Sequence, residues 1–215
     1  MGAKELQSER YNTRPAKQIV LDKNGSERMI SILCMRDKVV QQALCQELQK
    51  IYEETFADAA YAYRRGRSAI QAVEQIEQWI GTGTYSYFLK TDIAHFFDEI
   101  VQERLISLLR RRIGDEKVLR LVEICLHMRY LDDNGDLYDK TRGVYQGAIL
   151  SPLFSNIYLT DFDCWLEHFE EKYIRYSDDI FILAYATSQT QACLHLTTAR
   201  GSNTPPLGAD MLKRS

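Results

Sequence analysis

Residues 173–183 read Tyr-Ile-Arg-Tyr-Ser-Asp-Asp-Ile-Phe-Ile-Leu, two β-favouring stretches around a short polar turn. This pattern predicts a β-hairpin. The hairpin places the neighbouring carboxylates of Asp178 and Asp179 at the turn, where they stay accessible and repel each other. A divalent cation relieves that repulsion, so the pair is a candidate metal site. The alternative is that two Asp residues serve ordinary turn chemistry.

A third carboxylate and a glycine-containing loop precede this hairpin. Residues 85–93 favour a β-strand, and Asp92 stands near its end, where a carboxylate is costly unless it is solvated or bound to a cation. Residues 142–159 predict a loop that leads into a helix, with Ser151 as the N-cap. Near Gly147 the backbone can approach a ligand closely, because no side chain intervenes.

These three blocks, in this order, resemble the palm of reverse transcriptases. The run that ends at Asp92 is similar to the strand with the first metal-binding Asp. Residues 146–156 match the Gln-Gly-x-x-x-Ser-Pro-x-x-x-Asn segment that contacts the incoming nucleotide, and the hairpin matches the Tyr-x-Asp-Asp motif. Upstream, residues 28–44 and 61–68 resemble the fingers blocks of bacterial enzymes of the group II intron type. The resemblance covers roughly residues 20–185.

The resemblance implies an α+β fold with the fingers and palm of a right-hand polymerase, in which helices pack on an antiparallel palm sheet. We expect a fingers-like region at 1–85 and the palm at 86–186, with a helical insertion at about 101–128. Residues 187–215 lack an apolar period and predict a disordered tail. They do not resemble the primer grip and thumb of relatives, so we expect a truncated chain without a thumb and with little processive synthesis of its own.

The implied function is that of an RNA-directed DNA polymerase, which adds deoxynucleotides to a primer by two-metal nucleotidyl transfer. Asp92, Asp178 and Asp179 are the implied catalytic residues and metal ligands, for two Mg²⁺ ions or Mn²⁺ as a substitute. We expect the three carboxylates to converge within one metal-binding distance. The alternative is a catalytically inactive remnant or an RNA-binding maturase-like module. Group II intron, other mobile-element and CRISPR-associated settings all stay open.

Four residues are assigned to nucleotide binding: Phe97, Gln146, Arg28 and Ile93. By resemblance, Phe97 sits under the sugar, where it would clash with a ribose 2′-hydroxyl; ordinary core packing is the alternative. Gln146 either bonds near the sugar and phosphates or stabilises its turn. Arg28 either grips the triphosphate or is a surface charge. Ile93 follows the first metal ligand.

A basic loop is the predicted contact with nucleic acid. Arg64, Arg65 and Arg67 either bind template phosphates or form a solvated basic turn. Arg65 stands where relatives carry proline, which leaves the loop geometry open. The implied partners are an RNA template, a DNA or RNA primer and deoxynucleoside triphosphates. A separate C-terminal or integrase partner is a further alternative.

Composition narrows the class of protein. A hydrophobic content of 45%, with 13 Tyr and 8 Phe, predicts a globular chain. The net charge of −3 contrasts with the basic surface usual in nucleic-acid binders. No apolar run approaches the length of a membrane span, and the first residues lack the apolar core of a signal peptide. The missing apolar run predicts no membrane partner. Five cysteines without a Cys-x-x-Cys pair predict a reduced, cytoplasmic protein.

Overall fold

A computed structural model describes residues 2–23, 26–169, 171–185 and 212–214. Helices and strands are mixed along these residues, which confirms the predicted α+β class. In chain order the elements are α1 (Gly2–Gln7), β1 (Ala16–Lys23), β2 (Ser26–Ile32), α2 (Met35–Tyr52), a 3₁₀ turn (Glu53–Thr55), α3 (Ala69–Gly81), β3 (Tyr87–Ile93), α4 (Phe96–Glu99), α5 (Gln102–Arg110), α6 (Glu116–Leu126), β4 (Tyr130–Leu131), β5 (Leu137–Tyr138), α7 (Ser151–Leu166), β6 (Lys172–Tyr176), β7 (Asp179–Ala184) and β8 (Leu212–Arg214).

The chain forms two compact units, and each unit is made from two separate segments. The first unit comprises Met1–Tyr52 and Phe97–Tyr158, and the second comprises Glu53–Phe96 and Leu159–Ser215. The segments of the two units therefore alternate along the sequence. The fingers-like and palm regions, with their boundary after residue 85, are divided by expected function, and that division stays a prediction.

The first unit contains a four-stranded sheet in the order β2-β1-β4-β5. β1 runs antiparallel to β2 and parallel to β4. Helices α5 and α6 occupy the range predicted for the helical insertion. The carboxylate of Asp115 caps α6, because it accepts from the backbone N–H of Lys117 at 2.8 Å. One buried apolar cluster of this unit consists of Ala16, Leu33, Met128, Tyr145 and Ala148.

The second unit contains a four-stranded antiparallel sheet in the order β6-β7-β3-β8. β6 and β7 form the hairpin that the sequence predicts. Helix α3, capped by Ser68, contributes Ala72 to a buried cluster with Tyr61 and Ile174. The predicted disordered tail, 187–215, lies mostly outside the described residues. It differs from the prediction at Leu212–Arg214, which form the edge strand β8.

Ser151 has a different role from the predicted N-cap. Helix α7 begins at Ser151 itself, and the Ser151 hydroxyl donates to the carbonyl oxygen of Tyr145 at 2.7 Å. Burial raises the pKa of Tyr145 far above its usual range, so its hydroxyl stays protonated and donates to the carbonyl oxygen of Met128. These bonds fix the loop that precedes α7.

Among the described helices, none is long and apolar enough to cross a bilayer.

Candidate active site

The β6–β7 hairpin closes with a two-residue loop that includes the first residue of the Asp pair. Tyr176 pairs with Asp179, so Ser177 and Asp178 form the loop. Ser177 has a φ of 61°, in the left-handed region. A positive φ at the first of two loop residues is a feature of type II′ hairpin turns. The turn leaves the side chains of Asp178 and Asp179 half-buried at one end of the sheet.

Strand β3 brings the third carboxylate to the same end of the sheet. Asp92 lies opposite Asp179 in the antiparallel β3–β7 pair. The backbone N–H of Ile93 donates to the carbonyl oxygen of Asp178 at 3.2 Å. Opposed residues share a face of the sheet and have Cβ atoms about 4.5–5.5 Å apart. The main chain thus places Asp92, which is distant in sequence, at the end of the sheet that carries Asp178 and Asp179.

The chemistry of these side chains fits a hard divalent cation. Mg²⁺ binds oxygen ligands and is usually held by one or two carboxylates together with substrate phosphates. Lys90 lies on the same face, with its Nζ 3.6 Å from an oxygen of Asp179. Within the described residues, no three His, Cys, Asp or Glu side chains are already gathered as a metal site. Convergence of Asp92, Asp178 and Asp179 on metal therefore stays a prediction.

In the first unit, the loop with Gln146 is fixed to β2. The N–H of Ser31 donates to the carbonyl oxygen of Gln146 at 2.7 Å, and the Gln146 side-chain amide donates to Asp98 at 3.4 Å. Gly147 has a φ of 97°, and a Cβ there would lie 2.9 Å from the carbonyl oxygen of Ser31. Glycine is required for this close approach. Gln146 thus has a partner within its own unit, and its role at the nucleotide stays a prediction.

Gly143 joins the start of the same loop to the segment that contains Phe97. The Gly143 N–H donates to the carbonyl oxygen of Ile100 at 2.8 Å, and the Val144 N–H donates to that of Phe97 at 2.7 Å. The buried amide of Gln102 donates to the Gly143 carbonyl oxygen at 2.8 Å. Phe97 itself is half-buried. The bond from Val144 fixes the main chain of Phe97. Whether the Phe97 side chain serves the core or acts as a steric gate stays a prediction.

The other two residues assigned to nucleotide binding lie on strands. Arg28 is on β2, opposite Leu21. Ile93 ends β3, and its side chain is only 1% exposed. Because the Ile93 side chain belongs to the core, any contact with a nucleotide is limited to its main chain. Both assignments stay predictions.

Arg64 is bonded inside the fold, so a solvated turn does not describe it, while its contact with a phosphate stays a prediction. Its side chain is 7% exposed and pairs with the carboxylate of Glu53 at 2.8 Å. The same guanidinium donates to the carbonyl oxygens of Ala57 and Ala60, at 2.6 and 3.0 Å. Charge-assisted bonds of this kind hold the loop together. Arg64 therefore acts as a structural residue of the second unit.

The two neighbouring arginines are more accessible. Arg67 pairs with Asp58 at 2.7 Å, and its guanidinium lies 5.1 Å from the ring centre of Tyr61. Arg65 is exposed, and within the described part of the chain it forms no hydrogen bond or ion pair. Of the three predicted contacts, Arg65 is thus the one without a partner among the described residues, and the phosphate contacts of all three stay predictions.

Residues 20–204 match the family described as "Reverse transcriptase (RNA-dependent DNA polymerase)". The chain belongs to the reverse transcriptase family. Its motifs, from the Asp92 strand to the Asp-Asp hairpin, lie within the matched range.

The curated relatives of this reverse transcriptase chain include proteins whose names place them in introns. An uncharacterized 91 kDa protein in the cob intron of Schizosaccharomyces pombe is 35% identical over 78% of the chain and 21% of the relative. The group II intron-encoded protein LtrA of Lactococcus lactis is 32% identical over 79% of the chain and 28% of LtrA. Protein YkfC of Escherichia coli is 30% identical over 79% of the chain and 45% of YkfC. The chain thus spans less than half the length of these relatives.

Solved structures of telomerases share the fold of this reverse transcriptase chain. The telomerase of Candida albicans, in complex with a TWJ fragment of telomeric RNA, superposes with a TM-score of 0.65 at 14% identity, over 97% of the chain and 44% of the telomerase. The Candida tropicalis enzyme gives 0.68 at 14% identity, over 90% of the chain and 39% of the telomerase. This likeness supports the arrangement of sheet and packed helices expected for fingers and palm.

A buried ion pair between Arg175 on β6 and Asp163 on α7 was not among the features predicted from the sequence. Both side chains are buried, at 0% and 1% exposure, and they approach to 2.6 Å. A signal exists in the sequence, because each charge interrupts an otherwise apolar face. Asp163 follows Leu159 by four residues in a helix, and Arg175 follows Tyr173 by two in a strand.

The different settings of Arg64 and Arg65 give a paired prediction. We expect Arg65→Ala to weaken RNA binding and to lower the slope of log affinity against log salt by about one, since one phosphate contact is lost. Arg64→Ala should instead lower the free energy of unfolding by about 1–3 kcal/mol, because its buried partners lose their donor. RNA titrations at several salt concentrations and urea unfolding measure the two effects. Equal RNA affinity of Arg65→Ala and the unsubstituted chain would remove Arg65 from the interface.

Proposed function

We propose that this chain provides the fingers and palm of an RNA-directed DNA polymerase that adds deoxynucleotides to a primer along an RNA template. Family membership gives the reaction class. The proposal adds the residues: Asp92, Asp178 and Asp179 as metal ligands in the second unit, with Phe97 and Gln146 at the nucleotide in the first. RNA template, primer and deoxynucleoside triphosphates are the proposed partners.

One observation carries the proposal most strongly. The β3–β7 register sets Asp92 opposite Asp179, and the Asp178 carbonyl oxygen accepts from the next residue of β3, Ile93. Carboxylates at adjacent positions repel each other, so their grouping at one sheet end favours a cation-binding role. Lys90 supplies one positive charge at Asp179. That charge balances only part of the negative charge of the three carboxylates.

The three carboxylates would hold two Mg²⁺ ions. When bound, a pair of such ions about 3.5–4 Å apart activates an attacking hydroxyl and stabilises the oxygen of a leaving group. The protein's part is to hold the ligands in place and to orient the primer and the nucleotide. Holding reacting groups in line makes a large contribution to the rate.

The first unit supplies the proposed nucleotide contacts. Gly143 and Gly147 let the main chain of the Gln146 loop approach Phe97 and Ser31, respectively, closer than any side chain permits. Arg28 shares strand β2 with Ser31 and is the proposed contact for triphosphate oxygens. In this arrangement Gln146 would bond to the nucleotide, and Phe97 would exclude a 2′-hydroxyl.

A second function, as an RNA-binding maturase-like module, is favoured by the intron origin of the relatives. LtrA is a group II intron-encoded protein by name, and the nuclear intron maturase 4 of Arabidopsis thaliana is 24% identical over 75% of the chain and 20% of the relative. Such a module needs RNA contacts without catalysis. The two functions therefore differ in their dependence on the carboxylates.

Primer extension tests the proposal. Residues 1–215 are assayed with Mg²⁺, deoxynucleotides and an RNA template annealed to a primer, alone and joined to the remaining C-terminal part of LtrA, since the chain spans only 28% of that relative. We expect little synthesis by residues 1–215 alone, and templated DNA synthesis that requires the divalent cation by the joined protein. If both the chain alone and the joined protein bind RNA without synthesising DNA, the maturase-like module is the function that is left.

The proposed sugar selection by Phe97 can be tested directly. We expect Phe97→Val to raise incorporation of ribonucleotides by about tenfold or more, because the substitution removes a clash, while use of deoxynucleotides changes little. Relative kcat/KM for matched ribo- and deoxynucleotides is the measurement. Phe96→Val is the control, since the neighbouring Phe96 is only 1% exposed and should affect stability alone. An unchanged sugar preference in Phe97→Val would assign Phe97 to the core.

A further inference from the structure

A buried ion pair lies next to the Asp-Asp turn in the second unit. Arg175 donates from Nε and Nη2 to the two carboxylate oxygens of Asp163, at 2.8 and 2.6 Å. Bidentate pairs of this kind are strong and fix the orientation of the guanidinium. Burying two charges is costly, however, and an apolar pair of similar volume is often equally stable. Stability alone is therefore a poor explanation for this pair.

The third guanidinium nitrogen of Arg175 reaches the turn. Its Nη1 donates to the carbonyl oxygen of Ser177 at 3.1 Å. Ser177 adopts a positive φ, which is unfavourable for a residue with a side chain. Its hydroxyl is buried and has no hydrogen-bond partner among the described residues. The bond from Arg175 thus supports a turn residue whose own conformation and side chain do not favour the turn.

This bond holds the peptide unit that precedes Asp178. The Ser177 carbonyl and the Asp178 N–H belong to one planar peptide unit, so fixing the oxygen fixes the plane. On the other side of the residue, the Asp178 carbonyl oxygen accepts from Ile93 on β3. Asp178 is thus held through the peptide units before and after it. The second of these bonds also ties it to the strand of Asp92.

Arg175 is itself anchored through its main chain. Its N–H donates to the carbonyl oxygen of Ala59, and its carbonyl oxygen accepts from the N–H of Tyr61, both at 2.9 Å. Ala59 and Tyr61 fix the main chain of Arg175, and Asp163 fixes its guanidinium. The Arg175 side chain therefore has little freedom. Arg175 can therefore transmit the position of α7 and β6 to the turn.

We propose that Arg175, oriented by Asp163, is a positioning residue that sets how Asp178 presents its carboxylate to a divalent cation. This inference rests on the proposed metal-binding function of the turn. A purely structural ion pair would affect the whole second unit. A positioning residue should instead affect the turn more than the rest of the sheet.

Two variants separate these roles. The double variant Arg175→Met with Asp163→Leu replaces both charges with apolar atoms of similar size, which preserves packing but removes the bond to Ser177. Arg175→Lys keeps a positive charge, but its single nitrogen cannot serve the carboxylate bidentately and also reach the turn. Both are made in the full chain, and urea unfolding reports their global stability.

Hydrogen exchange supplies a local measurement that needs neither metal nor activity. The Ile93 amide bonds to the turn, while the Ser86 amide bonds to Ala184 at the opposite end of the same strand pair, at 3.1 Å. In both variants we expect exchange at Ile93 to rise about tenfold or more relative to exchange at Ser86, the factor that corresponds to one lost charge-assisted bond. Equal factors at the two amides would overturn the inference.

Binding of Mn²⁺, followed by electron paramagnetic resonance, completes the test. We expect the double variant to keep its global stability and to bind Mn²⁺ about tenfold more weakly. Unchanged Mn²⁺ affinity in a variant with a faster Ile93 amide would refute a role in presenting the carboxylate of Asp178. If the double variant does not fold, Arg175→Lys carries the same comparison. Absence of Mn²⁺ binding by the unsubstituted chain would count against the proposed function, whereas the ratio of exchange rates tests the positioning of the turn independently.

Discussion

Primer extension should fall by about a thousandfold or more when Asp178 is replaced by Asn, because a metal ion contributes several kcal/mol of transition-state stabilisation. Asn keeps the size of the side chain but removes the charge. RNA affinity should stay unchanged, since Asp178 belongs to the proposed metal site and not to the basic loop. Extension rates and Mn²⁺ binding are the measurements, and binding can be followed even where extension is slow.

A second Asp doublet provides the matched control. Asp132 and Asp133 lie in the β4–β5 hairpin turn, and Asp133 is exposed. Asp132 accepts from the backbone N–H of Asp136 at 2.8 Å, which is ordinary turn chemistry. Asp133→Asn should therefore leave extension and Mn²⁺ binding as they are. Equal activity of Asp178→Asn and Asp133→Asn would show that the hairpin carboxylates are turn residues and would end the polymerase proposal for this chain.

Gly143→Ala is expected to lower the free energy of unfolding by at least about 3 kcal/mol, among the larger effects of single substitutions. Gly143 has a φ of 76°, and a Cβ there would lie 2.6 Å from the carbonyl oxygen of Phe97 and 2.7 Å from the Cα of Asp98. Both atoms belong to the backbone, so they cannot move aside as a flexible side chain can. Urea unfolding of the purified variant measures the loss.

Gly135→Ala isolates the cause. Gly135 has a similar φ of 87°, but a Cβ there would meet no atom within 4 Å. Its substitution should cost only the conformational penalty of a left-handed residue, about 1–2 kcal/mol. The difference between the two variants then measures the clash of Gly143 with the Phe97 segment. Equal losses at both positions would mean that the main chain relaxes around residue 143.

Local patterns allowed much of the second unit's sheet to be predicted. The Asp-Asp hairpin is visible because its two strands and its turn are adjacent in sequence. The pairing of Asp92 with Asp179, in contrast, could not be predicted from local patterns. No periodicity relates residues so distant in sequence, and only the resemblance to reverse transcriptases suggested that they meet.

Arg64 and Ser151 show why other features escaped prediction. A charged residue in a polar loop normally indicates solvent exposure, yet the partners of Arg64 include the main-chain oxygens of Ala57 and Ala60. Because every residue has a main-chain oxygen, residue types do not indicate which of these oxygens will accept a bond from Arg64. Ser151 has the side chain of a cap, but its hydroxyl bonds to the Tyr145 carbonyl oxygen. In both cases the fold of a neighbouring loop decided the role.

The interleaved order of the two units has a consequence for synthesis on the ribosome. Met1–Tyr52 emerges well before Phe97–Tyr158 but belongs with it, so the first unit cannot close until both segments have been made. Glu53–Phe96 must likewise wait for the residues that follow Leu159. Contacts between distant segments form slowly, and the waiting segments expose apolar surface meanwhile. We therefore expect nascent chains to need protection from aggregation until the Asp-Asp hairpin has left the exit tunnel.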